Sequence, residues 1–160
     1  MHSRIFVYSE NNSILKSTIT TCSFDDHWFT NSIADYVVDS NLHEDIKWLK
    51  VIFDCLFIEV DTNNKFLIAH DDFKNRYFYD KYNRFTNLLT QIKDNITLDK
   101  FSSIDINLFN DIWQLNNLYN EKYSFYFCND DMELLTIDEF IRKIKVGCKY
   151  YIIKTFYYHS

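Results

Sequence analysis

Residues 67–80, LIAHDDFKNRYFYD, set His70, Asp71 and Asp72 side by side. An imidazole beside carboxylates suits a transition-metal ion, and metal-dependent phosphohydrolases can use a His–Asp pair. Asp25, Asp26 and His27 form a second cluster of the same kind. A hydrolytic centre needs more than a pair. Further His and Asp must arrive from other helices, and the histidines left over are His2, His43 and His159, two of them near the chain ends. Each Asp–Asp pair also falls just before or within the first turn of a predicted helix. Asp is favoured there because its oxygen accepts orphan N–H groups and its charge suits the helix dipole. The expectation is therefore that Asp71 or Asp72 caps a helix, that His70 closes a strand, and that no metal or other cofactor is bound. A small metal hydrolase built on His70 and Asp71 is the sharper alternative.

Other chemistries have less support. Cys22, Cys55, Cys128 and Cys148 are widely spaced and none forms a CxxC pair, so zinc ligation is not expected. Cys22, Cys55 and Cys128 fall in predicted strands, where burial would make thiols inert. The chain has one Gly and no Pro. Phosphate loops, dinucleotide fingerprints and nucleophile elbows need several glycines, so none can be present as written. Scarce Gly, Pro, Ala and Arg beside abundant Asn, Ile, Lys, Phe and Tyr also point to AT-rich coding. Asn129, Asp130, Asp131 and Glu133 make an acidic run that reads as a solvated turn. The basic, aromatic stretch 74–84, KNRYFYDKYNR, could line a nucleic-acid groove, but a net charge of −6 opposes that. The same charge disfavours an anionic membrane surface and favours a basic protein partner.

The elements that must position these residues read as one domain spanning 1–160. Strands are expected at 4–10 and 14–22 around a polar turn, then a helix starting near Ser23 and Asp26 with Phe29, Ile33, Tyr36 and Val37 on one face. VIFDCLFIEV (51–60) and KFLIAH (65–70) read as a hairpin across Asp61-Thr62-Asn63-Asn64, with Asn supplying the left-handed turn residue. The first arm is apolar almost throughout and should lie centrally in its sheet. Helices follow near 72–93 and 104–120, with Tyr79 facing solvent. Ile104, Leu108, Ile112, Leu115 and Tyr119 form an apolar stripe on the second, with Phe109 and Trp113 beside it. A strand is expected at 123–128. Thr136 and Glu139 form a capping box for a helix at 137–146 that ends on Gly147 as its left-handed residue. A last strand near 148–157, apolar or amphipathic on both faces, should sit inside the sheet. The fold class is α+β: a single largely antiparallel sheet packed with three to five helices.

With no catalytic signature, an acidic, aromatic-rich chain of this size reads as a binder. The stretch NDDMELLTIDEFIRKIKVG (129–147) resembles strand–helix endings in immunity proteins of bacterial contact-dependent and other polymorphic toxin systems. That resemblance implies a cytoplasmic, non-enzymatic protein that neutralises a basic, nuclease-type toxin domain. The expected contact residues are Asp25, Asp26, Asp71, Asp72, Asp130, Asp131 and Glu133 for electrostatic steering, with Tyr79 as anchor. The first twelve residues hold too short an apolar run for a signal-peptide core, consistent with that compartment. A phage-encoded anti-defence inhibitor, of the anti-CRISPR or antirestriction kind, is the alternative binder. No direct nucleic-acid or membrane contact is expected.

Overall fold

The computed structural model describes residues 2–11 and 18–160. Its longest strand, Lys149–His159, runs through the interior of the sheet and organises the rest. In chain order the strands are β1 (His2–Ser9), β2 (Tyr36–Asp39), β3 (Ile58–Asp61), β4 (Phe66–Ala69), β5 (Tyr126–Cys128), β6 (Leu134–Thr136) and β7 (Lys149–His159). The helices are α1 (Trp28–Ser32), α2 (Leu42–Phe53), α3 (Phe73–Asn95), α4 (Leu98–Ser102), α5 (Ile106–Tyr119) and α6 (Ile137–Lys143), plus a 3-10 turn at Thr21–Phe24. Strand order is β3-β4-β7-β1-β5-β6, and β2 also pairs with β7. Among the described residues β1 and β5 are the one parallel strand pair, with an isolated parallel bridge between Ala69 and Val146 besides. The α+β architecture with a largely antiparallel, open sheet is thus as expected. Among the described residues there are six α-helices, two of them only five residues long.

A register shift lets β7 serve both faces. Val7 pairs with Lys154 but Tyr8 pairs with Ile152, which leaves Ile153 as an extra residue. A bulge of this kind resets the two-residue alternation of side chains. Tyr150 and Ile152 therefore join Phe6, Tyr8 and Phe127 against Ile46, Leu49 and Phe53 of α2 and Phe140 of α6. Beyond the bulge, Phe156 and Tyr158 join Ile5, Val7 and Tyr126 on the other face, under Phe24 and Phe29. The aromatic content goes into these layers: Phe127 stacks on Phe140 with centroids 3.7 Å apart, and Phe29 meets Tyr126 and Tyr158 edge-on.

Several expectations are corrected. Residues 51–53 close α2 instead of opening a strand. Asn41 caps that helix by accepting N–H bonds from His43 and Glu44, and Ile46, Leu49 and Phe53 recur at helical spacing on its buried side. The hairpin is present, but β3 begins at Ile58 and lies at the sheet edge, where buried Ile58 and Val60 alternate with exposed Glu59. In its turn Asp61 accepts bonds from the Asn63 and Asn64 amides, and the left-handed residue is Lys65. Tyr36 and Val37 belong to β2 because the edge of β7 offers them a ladder, so the expected helix stops at Ser32. Residues 12–17, and with them part of the expected 14–22 strand, lie outside the described residues; Thr21 and Cys22 are in the 3-10 turn. Helix α6 stops at Lys143 because Ile144 turns into the core, and Gly147 is not its cap. Gly147 instead takes φ +74° while donating its N–H to Ala69 O. Cys22 and Cys55 are exposed, as is Cys148, and only Cys128 is buried.

Candidate partner-binding surfaces

The His70 cluster is a hinge between β4 and α3. The His70 N–H donates to Phe57 O at 2.9 Å, and its ring Nε2 lies 3.3 Å from Glu59 Oε2. Asp72 is the residue preceding α3, as expected, but its side chain bonds none of the helix N–H groups. It takes φ +69°, a left-handed conformation that aims its carboxylate sideways, to accept from Asn75 Nδ2 at 2.6 Å. Asp71 is exposed and has no ion-pair partner among the described residues. The Asp25–Asp26 pair does not cap either. Asp25 ends the 3-10 turn, and His27 caps α1 by accepting the Phe29 N–H on Nδ1 at 3.3 Å. Among the described residues, no three His, Cys, Asp or Glu side chains gather in a way that could hold a metal ion.

Two buried carboxylates escaped the sequence reading. Asp45 on α2 is fully buried, yet it accepts from Arg4 Nε (2.6 Å), Ser40 Oγ (2.5 Å) and Thr155 Oγ1 (2.8 Å). The Arg4 guanidinium is sandwiched between the Trp48 and Tyr157 rings. Asp138 on α6 is also fully buried and accepts from Lys81 Nζ (2.7 Å), Tyr77 Oη (2.9 Å) and Glu121 N (2.7 Å). Capping-box position explains an Asp in the first turn of α6, but only tertiary contact reveals its burial. Both groups are saturated with donors and carry structure. The buried Cys128 thiol is pushed up to about 12 by desolvation, with Asp130 adding to the effect, so it stays protonated and unreactive. Among the described residues every buried side-chain nitrogen and oxygen has a partner.

Strand direction gathers two of the three acidic clusters. The C-terminal ends of β1, β4 and β5 and the start of β7 point the same way. Glu10, Asp71, Asp72, Asp130, Asp131 and Glu133 therefore lie at one end of the sheet. Lys143 and Lys145 stand among them, and Lys143 pairs with Glu133 at 2.5 Å. The Asn129 side chain holds the β5–β6 turn by accepting from the Asp131 and Glu133 amides. Asp130 and Asp131 have no ion-pair partner among the described residues. Tyr79 is 67% exposed and shares a hollow of about 390 Å³ with Asp72, Asn75, Arg76 and Asp80 beside this end. Asp25 and Asp26 sit apart, over the face that Phe24 covers.

A second surface was hidden in the helix reading. Beyond Phe73, its one buried residue, and the half-buried Tyr77 and Phe78 that pack on the core, α3 leaves the body and α5 packs back along it. Lys81 and Tyr77 bind this arm to Asp138. At the far root Arg142 stacks between the Phe78 and Tyr119 rings and donates to Tyr119 O. Leu108, Leu115 and Leu118 are half-buried on the side toward α3. Ile106 and Phe109 lie on the opposite side, exposed Ile112 flanks Leu108 and Leu115, Trp113 is half exposed in a hollow shared with Lys81 and Arg84 of α3, and Leu98, Phe101 and Ile104 are exposed at the tip. No residue of α4 or α5 is fully buried. The α5 members of the expected stripe, Leu108, Ile112, Leu115 and Tyr119, share the side toward α3, where Tyr119 meets Phe85, and Ile104 precedes the helix. The available signal was that its apolar arc is too wide for one neighbour.

Among the described residues no helix is long and apolar enough to cross a membrane. Comparisons with protein-family models, curated proteins and solved structures find no match for this chain.

Proposed function

We propose that this chain is a non-enzymatic binding protein that neutralises a basic protein partner, in the manner of an immunity protein paired with a toxin domain. One observation carries the reading: the ends of β4 and β5 bring Asp71, Asp130 and Asp131, none of them ion-paired among the described residues, to one end of the sheet beside the exposed Tyr79. A cationic partner approaching this end is steered by the carboxylates, and most of their effect falls on the association rate. Tyr79 then supplies a rigid, amphipathic contact at small entropic cost. Lys143 and Lys145 restrict the attractive field to the β4–α3 and β5–β6 turns, which gives the contact a defined orientation. Asp25 and Asp26, on another face, take no part in this contact.

The test is to express the gene adjoining this one with and without this chain. Protection from the neighbour's toxicity, with a complex that co-elutes on a sizing column and weakens as salt rises, is the expected result. Joint replacement Asp71→Asn, Asp130→Asn and Asp131→Asn should slow association by roughly tenfold at low salt and leave dissociation nearly unchanged. An innocuous neighbour, or turnover of a phosphate ester by the pure protein, overturns the reading.

A further inference from the structure

The α4–α5 surface asks for a cover. Leu98 and Ile104 are 84% and 81% exposed, and Phe101, Ile106, Phe109, Ile112 and Trp113 are each about half exposed or more. At roughly 100 Å² apiece these seven side chains present roughly 700 Å², above the largest patch on a typical monomer and close to one side of a standard interface. The patch sits on a two-helix hairpin, which is half of a four-helix bundle. Helix α5 is apolar toward α3 and apolar away from it, the pattern of a helix enclosed on both sides.

We infer that a second copy of this chain covers this face, pairing the two arms about a two-fold axis into a four-helix bundle. Charge selects that occupant over the basic partner. Residues 73–119 hold six Lys or Arg against five Asp, so the arm is close to neutral at +1 and the rest of the chain carries −7, for the net −6. A neutral arm exerts no pull on a cationic protein and does not repel its own copy. A two-fold contact also needs only one self-complementary patch. Ile104 adds a separate indication. It is β-branched and exposed, yet held at φ +55°, a conformation that costs little only for Gly or Asn. A large apolar side chain kept there, against both backbone preference and solvent, is accounted for by a contact at the tip. The dimer uses a different surface from the acidic end, so either reading can fail without the other.

Sedimentation equilibrium of the full-length protein at about 10–100 µM tests this, with the double variant Phe109→Asp, Ile112→Asp as the interface probe and Tyr79→Asp as control. The wild type and Tyr79→Asp should run at twice the 19.5 kDa chain mass, and the double variant at the single mass with an unchanged circular dichroism spectrum. A monomeric wild type over this range overturns the inference, as does a double variant that stays dimeric. Should the double variant unfold, Leu98→Lys and Ile106→Lys, at positions with little to lose in the monomer, give the answer. Dimerisation weakened at least tenfold supports the face, and unchanged dimerisation overturns it.

Discussion

Asp72 illustrates how residue type can be read correctly for the wrong reason. An Asp just before a helix suggests a side-chain cap, and Asp72 is the N-cap residue of α3. What the position demands is a left-handed backbone, which Asn and Asp tolerate and Gly prefers. Asp72→Gly should therefore keep or raise stability, while Asp72→Ala should fall below Asp72→Gly by about 1 kcal/mol in urea unfolding. Equal losses for the two would restore the side-chain cap. Cysteine reactivity gives a second test at this scale. Cys22, Cys55 and Cys148 are exposed and Cys128 is buried with a raised pKa. A thiol reagent at neutral pH should label three cysteines in the native protein and the fourth only after denaturant; native labelling of Cys128 would place it near the surface.

At the scale of elements, legibility followed how local the determinant is. The α6 capping box, with Thr136 Oγ1 accepting from Glu139 N and Glu139 Oε2 accepting from Thr136 N, lies within four residues and was read directly. The β3–β4 hairpin and the long α3 were legible for the same reason. The α2–β3 boundary was not, because VIFDC is apolar both as the end of a helix and as a strand, and the choice rests on Ile46, Leu49 and Phe53 sharing a buried face. Gly147 was misassigned because tertiary packing of Ile144 ended α6 before the glycine. In the candidate site, Tyr79 and the acidic residues could be named, but their gathering depends on strand direction, and the α4–α5 face depends on α5 touching the body only through its root. That root predicts its own weak point. Lys81→Met leaves the buried Asp138 carboxylate without its cation, retaining only Tyr77 and the Glu121 amide as donors, and should cost about 3 kcal/mol. Adding Asp138→Leu should recover part of that loss in a double-mutant cycle. Strictly additive losses would mean the two side chains do not interact.

For the whole molecule, the aromatic core ties stability to alkaline pH. Tyr158 is pushed up to about 12 and Cys128 to about 12, chiefly by desolvation. Burial raises Tyr8, Tyr77 and Tyr126 further still, and nearby Glu133, Asp138 and Tyr158 respectively oppose their ionisation. In the unfolded chain the thiol ionises near its ordinary 9.0 and the phenols near 10.0. Below about pH 8 these groups are protonated in both states and add almost no pH dependence. Above it the unfolded chain gives up protons that the folded chain retains, so stability falls as pH rises. Each such group contributes up to about 1.4 kcal/mol of loss per pH unit until its folded pKa is reached. Several groups of this kind, spread over both faces of the sheet, should act together. The urea midpoint should therefore show little contribution from them between pH 7 and pH 8 and drop steeply by pH 11, with the phenolate absorbance of these buried tyrosines appearing only as the protein unfolds. A midpoint that holds through pH 11, or phenolate absorbance from these tyrosines while the fold is intact, would show that water reaches the aromatic layers.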